Sequence, residues 1–114
     1  MWQTGKVIYV SSSKGNDNND GLSFGTSVKT FEKAIEKLSS SNSETANYVV
    51  ITDEVTLSGN VNKNVTITSL YGGIDYQNTN NAKLKINSNI NLLADVMFDN
   101  IKIDSISTTI IILL

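Results

Sequence analysis

Residues Tyr9 to Leu38 read YVSSSKGNDNNDGLSFGTSVKTFEKAIEKL. They set the end of a strand, an Asn/Asp/Gly loop and a single amphipathic helix ahead of sequence that is strand-like to its end. The helix is read from Phe31, Ala34, Ile35 and Leu38, which fall at i, i+3, i+4 and i+7 and make one apolar stripe. Thr30 is placed to cap its N-terminus, and Glu32 lies near the positive end of the helix dipole. In Asn16-Asp17-Asn18-Asn19-Asp20-Gly21 the short side chains can bond their own backbone as Asx turns, and Gly21 can take the positive φ a chain reversal needs. No other stretch predicts a helix.

Working outward, Lys6 to Val10 is rich in β-branched and aromatic residues and stops at the serine triplet Ser11 to Ser13, as a first strand should. Ser39 to Glu44 reads as a flexible connection. After it come short apolar-x-apolar units at Val49–Ile51, Val55–Leu57, Val65–Ile67, Leu84–Ile86, Ile90–Leu92, Val96–Phe98 and Ile101–Ile103. Between Leu84 and Leu92 the aliphatic residues alternate with Lys85, Asn87, Asn89 and Asn91, giving one dry face and one wet face. Hairpins would want strands of about five or six residues joined by Asn-Gly or Asp-Gly. These units are shorter, and neither pair occurs after Gly21. A parallel solenoid needs only brief strands with bends, stacked at roughly 4.8 Å, where ladders of Asn and of aliphatic residues are favourable. The expected fold is therefore all-β, a right-handed parallel β-helix fragment with one N-terminal capping α-helix. Residues 1–114 form one domain, with strand, loop and capping helix in 1–47 and the first coils in 48–114. Tyr71 to Ala82 is expected as an outward loop.

Composition narrows the chemistry. At 114 residues the chain fits one small core. It contains neither cysteine nor histidine, which removes disulfides, thiolate metal sites and the commonest general base. Its cations are all Lys and the net charge is -2, so the bidentate Arg contacts of nucleic-acid recognition are missing and nucleic acid is not an expected partner. No apolar run approaches the ~20 residues of a membrane-spanning helix, so membrane insertion is not expected either.

Tyr9-Val10, Gly15 to Gly21, Lys29-Thr30-Phe31-Glu32-Lys33-Ala34 and Tyr48-Val49-Val50-Ile51 together resemble the N-terminal portion of the pectate-lyase-like superfamily of right-handed parallel β-helix proteins. Val96 to Ile103 is similar to that family's coil pattern, two strands linked by a bend at Asn. Ser27-Val28 stands where the family usually carries Pro-Phe before Lys-Thr. The resemblance implies a secreted or cell-surface protein that handles acidic or neutral polysaccharide as a lyase, a hydrolase or an adhesin. Its active members have many more coils and use carboxylates on one sheet for calcium or acid/base work. No motif here receives those residues. The expectation is thus a non-catalytic cap with first coils, needing no cofactor itself, calcium being a matter for the parent protein. The apolar run Ile110 to Leu114, without a polar cap, suggests an excised piece whose open edge can self-associate.

Candidate residues carry competing explanations. Tyr71 and Tyr76, on the excursion Tyr71-Gly72-Gly73-Ile74-Asp75-Tyr76, are the best candidates for stacking on a sugar ring, with loop packing as the alternative. Trp2 and Tyr48 are further aromatics of that kind. Asp53, Glu54 and Asp75 could pair as acid and base if they converge. Lys83 and Lys85 could serve a lyase as proton-abstracting amines. The loop before Gly21 partly resembles a calcium loop, but it lacks the leading Asp and has Ser27 where the bidentate Glu belongs. Asn64-Val65-Thr66 is a formal glycosylation sequon that an inter-coil asparagine position also explains.

Overall fold

The computed structural model describes residues 3–38, 45–57, 60–86, 90–94, 96–106 and 110–112. Trp2, the connection Ser39 to Glu44, Asn87 and Asn89, and the last two residues of the apolar run lie outside them. The chain is mostly β with few helices. In order it forms β1 (Gln3–Val10), α1 (Phe31–Lys37), β2 (Thr45–Ile51), β3 (Glu54–Leu57), β4 (Asn60–Val61), β5 (Val65–Thr68), β6 (Leu70–Tyr71) and β7 (Ile74–Asp75). Then follow α2 (Tyr76–Asn80), β8 (Lys83–Ile86), β9 (Ile90–Leu92), β10 (Val96–Asp99), β11 (Ile103–Ile106) and β12 (Ile110–Ile112).

Three sheets are parallel throughout: a first with order β1-β2-β5-β10, a second with β11-β8-β3 and a third with β12-β9-β4. From β2 onward the chain visits them in a fixed cycle. β2, β3 and β4 are followed by β5, β8 and β9, and then by β10, β11 and β12. The antiparallel hairpin β6-β7 and α2 are inserted between β5 and β8.

Register explains the core. Partners in a parallel pair project from the same face, so Ile8, Val49, Ile67 and Phe98 form one inward column. Val55, Leu84 and Ile103 form another, with Leu57 over Ile86 beside it. The residues of the first two cycles in these columns are fully buried. Asn47, on β2, ties β1 to the residue before β5, accepting from Lys6 N at 2.9 Å and donating to Asn64 O at 3.0 Å.

The outer edge of β1 is covered by its own loop. Tyr9 N donates to Gly21 O at 2.7 Å, Val28 N to Tyr9 O at 3.0 Å and Ser11 N to Val28 O at 2.9 Å. Val28, at the position where the resemblance expects Phe, is fully buried. Two glycines permit this close return. A Cβ at Gly15 would stand 2.2 Å from Val28 O, and one at Gly21, whose φ is 74°, would stand 2.7 Å from Ile8 Cγ2. The expected Asx turns form, with Asn16 Oδ1 accepting from Asn18 N at 2.9 Å and Asp20 Oδ1 from Leu22 N at 3.0 Å.

The helix α1 lies against β1 and β3 and buries Phe31, Ala34, Ile35 and the following Leu38, the stripe read from the sequence. Thr30 Oγ1 accepts from Lys33 N at 3.3 Å. Asp17 anchors the same end, accepting from Lys29 N at 2.9 Å and Thr30 N at 3.0 Å. At the opposite end Lys63 Nζ donates to the carbonyls of Ile35, Glu36 and Leu38 at 2.8, 3.1 and 3.0 Å. A cation among the last carbonyls satisfies orphan acceptors and opposes the negative end of the dipole.

Three expectations need correction. A short 3-10 turn at Phe24–Thr26 and the helix α2 join α1, so the helix is not alone. The excursion from Tyr71 to Ala82 is a hairpin followed by α2, because Gly72 and Gly73 both take positive φ and close a tight turn. The strand expected at Ile101–Ile103 starts at Ile103, since Asn100, at φ 49°, holds the bend between β10 and β11.

Two substitutions probe the covered end. Ile35→Asp places a charge in the core without a partner and should cost about 3–5 kcal/mol, a large part of the stability of a small domain. Unchanged thermal melting would show that α1 does not seal the core. Lys63→Met keeps the aliphatic stem but strips the three carbonyls of their donor, and should cost about 1–3 kcal/mol by chemical denaturation.

Candidate functional site

A polar cleft of about 500 Å³ opens where the first sheet bends into the second. Its floor is the bend between β2 and β3, which carries Asp53 and Glu54. The serines after β1 and the amides of α2 and the following Asn81 line it as well. Lys83, at the start of β8, and Lys102, between β10 and β11, complete the lining.

Asp53 organises the serine side. Its carboxylate accepts from Ser12 N at 2.9 Å, Ser13 N at 3.1 Å, Ser11 Oγ at 2.9 Å and Ser13 Oγ at 2.5 Å. Ser12 Oγ also donates to Glu54 O. The bend is fixed from below by Thr52, whose N and Oγ1 both donate to Val10 O, at 3.0 and 2.9 Å. Burial pushes the Asp53 carboxyl upward, but the hydrogen bonds from Ser13, Ser12 and Ser11 outweigh it and hold the group below its ordinary range.

Glu54 is neutralised by its neighbours on the outer face of the second sheet. Lys85 Nζ is 2.5 Å from Oε1 and Lys83 Nζ 3.7 Å from Oε2. The parallel register sets Glu54 beside Lys83 and Thr56 beside Lys85, so both lysines converge on one carboxylate. The Lys85 hydrogen bond is the largest cause that lowers the Glu54 pKa.

The helix α2 is rigidly strapped. Gln77 Nε2 donates to Asn100 O at 2.7 Å and to Ser69 Oγ at 3.0 Å, and Ser69 Oγ donates to Asn100 O at 2.5 Å. Asp75 caps α2, accepting from Gln77 N at 3.0 Å. Asn81 ends it in the left-handed region at φ 55°. Gln77, Asn78, Asn80 and Asn81 thereby come to line the cleft.

The candidates read from the sequence divide accordingly. Asp53, Glu54 and Lys83 meet in the cleft, while Asp75 is turned to the cap of α2 and lines no part of it. Tyr76 is only 4% exposed, packs with Val50 and Ala82, and stacks on Phe24 with centroids 5.6 Å apart. Tyr71 is half-buried against Tyr9 at 6.3 Å and Tyr48 at 5.7 Å. Both tyrosines thus sit in a small apolar cluster on the outer face of the first sheet, and neither lines the cleft. In the Asn/Asp loop, Asp17 and Asp20 accept from backbone amides, and among the described residues no three His, Cys, Asp or Glu converge as a metal would need. The sequence signal that marks the cleft is the run Gln77-Asn78-Thr79-Asn80-Asn81, which polarity alone does not distinguish from any loop.

Because the folded-state pKa of Asp53 lies below its ordinary 3.8, its contribution to stability is complete above that range and is lost as pH falls through the depressed value. Asp53→Asn should cost about 1–3 kcal/mol near neutrality and flatten the acid side of the stability–pH curve. Asp17, lowered by the Thr30 and Lys29 bonds against its burial, titrates in the same direction, so Asp17→Asn serves as the comparison. An acid limb unaltered by Asp53→Asn would remove Asp53 as an anchor of the serine side.

Compared with family models, curated proteins and solved structures, the chain matches none of them.

Proposed function

We propose that this chain forms the N-terminal cap and first coils of a right-handed parallel β-helix, in a secreted or cell-surface protein similar to the pectate-lyase-like superfamily. We propose further that its polar cleft binds glycan without cleaving it. The repeated cycle of strands through three parallel sheets supports the solenoid. The loop and helix over the outer edge of β1 support the cap.

The observation that carries the binding role is the chemistry of the cleft. Amides of Asn80 and Asn81, with the hydroxyl oxygens of Ser12 and Ser13 and the amide oxygens of Gln77 and Asn78, line a volume that accommodates one or two sugar rings. Such groups both donate and accept, which suits a ligand made of hydroxyls. The same site lacks the settings of catalysis. Glycoside cleavage needs a carboxylic acid that keeps its proton, and Asp53 and Glu54 are both held below their ordinary ranges. Lys85, the candidate proton acceptor of a lyase, is engaged with Glu54.

Titration with a neutral and an acidic oligosaccharide, followed by the side-chain amide NMR signals of Asn78, Asn80 and Asn81, should show saturable shifts at millimolar ligand or tighter. Shifts confined to residues away from the cleft, or none, overturn the binding role. Polygalacturonate incubated with the protein and calcium should give no unsaturated products, and their appearance would restore the lyase alternative.

A second reading, self-association in an adhesion role, has its own observation. Phe98 and Ile103 share inward columns with buried Ile67 and Leu84, yet they are 37% and 41% exposed on the edge strands β10 and β11. A second copy pairing along those edges would cover them. Sedimentation should then show concentration-dependent dimers that Phe98→Lys abolishes; a monomer at all concentrations removes this reading.

A further inference from the structure

We propose that Tyr48 and Tyr71 are a site of oxidative cross-linking, where a peroxide-driven one-electron oxidant joins the two phenol rings and staples the inserted hairpin to the first sheet. The chain has four tyrosines and no cysteine, so an oxidative tie between its elements has to come from a side chain other than a thiol. Three of the four tyrosines meet on the outer face of the first sheet, although they come from β1, β2 and β6. Tyr71 touches both of the others. Its ring centroid is 5.7 Å from that of Tyr48 and 6.3 Å from that of Tyr9, both within the range of direct ring contact.

The angles single out one pair. Tyr9 meets Tyr71 at 85°, edge against face, so the two π systems overlap little. Tyr48 lies closer and is tilted by only 49°, which lets the ring carbons beside the two hydroxyl groups approach through their π faces. Both rings are half-buried. An oxidant reaches them at the rim, while packing holds the two radicals together and away from other chains. Tyr76 differs on both counts, being 4% exposed and stacked on Phe24, which has no phenol to oxidise. In the reaction each phenol loses one electron and its hydroxyl proton, and the two phenoxyl radicals couple at carbons ortho to oxygen. The hydrogens on those carbons then move to the oxygens and restore two phenols joined by a C–C bond. The two electrons and two protons released reduce one hydrogen peroxide to two waters. The bond closes the chain between β2 and β6 and so restricts its unfolded state, as a disulfide would. It also fixes the hairpin that leads into α2 and hence into the lining of the cleft.

The dilute chain, treated with a haem peroxidase and hydrogen peroxide, should acquire dityrosine fluorescence while still running as a monomer on a denaturing gel. Digestion should release one linked pair of peptides, joined through Tyr48 and Tyr71 and lighter than their sum by two hydrogens. The linked chain should melt at least about 4 °C higher. Tyr48→Phe and Tyr71→Phe keep both rings in place, and each should lower the monomeric product at least tenfold, whereas Tyr76→Phe leaves it unchanged. A monomeric product that survives in Tyr71→Phe overturns the assignment to this pair. Dityrosine found only in cross-linked dimers, or none at all, overturns the site. An equal yield of the same link from the chain unfolded in urea shows that the fold does not set the pairing, and overturns it as well. A linked chain with unchanged melting overturns the staple.

Discussion

Parallel pairing in register constrains this molecule more than any single contact. When strands stack in parallel, each side chain lies directly beside its counterpart in the next strand and on the same face. A polar residue introduced into an inward column would therefore sit among apolar neighbours on every side. The column Ile8, Val49, Ile67 and the column Val55, Leu84 obey this limit with β-branched and aliphatic residues. The outward columns are free of it, and there the chain places Glu54 beside Lys83, and the tyrosines that the inserted hairpin covers. The division between structure and candidate function follows that of the faces.

The same constraint creates a problem at the end of a stack, where a strand has a neighbour on one edge only. On β1 the solution combines backbone and charge. The Asn/Asp loop returns to pair with the open edge through Gly21 and Val28, and α1 covers the apolar column beneath. Each junction of this cover is fixed by one charged side chain. Asp17 holds the entry to α1, Lys63 holds its exit, and Asp53 holds the serines that lead out of β1. These groups are partly exposed and do not add much apolar burial. Their importance lies in direction, because each offers several hydrogen bonds that fit one arrangement of the loop.

Much of this was legible in the sequence because it rests on local signals. The apolar stripe of α1, its Thr30 cap, the Asx turns and the positive φ of Gly21 are each set by residues a few positions apart, and each is found where the pattern puts it. The short strands were legible for the same reason. The site was legible only in fragments. Asp53, Glu54 and Lys83 stood out as charges near bends, but nothing local indicates that Asp53 meets Ser11 to Ser13 some 40 residues away. Tyr71 and Tyr76 stood out as exposed aromatics on a loop, whereas the hairpin turns them back onto Tyr9, Tyr48 and Phe24. The two-residue strand at Asn60–Val61 is too short for any periodicity to register.

The long reach of Asp53 also bears on the order in which the molecule can assemble. Its bonds to Ser11, Ser12 and Ser13 span 40 to 42 positions, and the neighbouring strand of β1, β2, begins at Thr45. During synthesis β1 precedes β2 and lacks that partner strand until β2 has emerged from the ribosome. The cover over its edge is finished later still, when Lys63 reaches the carbonyls at the end of α1. The edge of β1 is thus secured only after segments that follow it in the chain have been made. For several seconds at ordinary elongation rates, the apolar stripe of α1 and the edge of β1 are open to other chains and to chaperones.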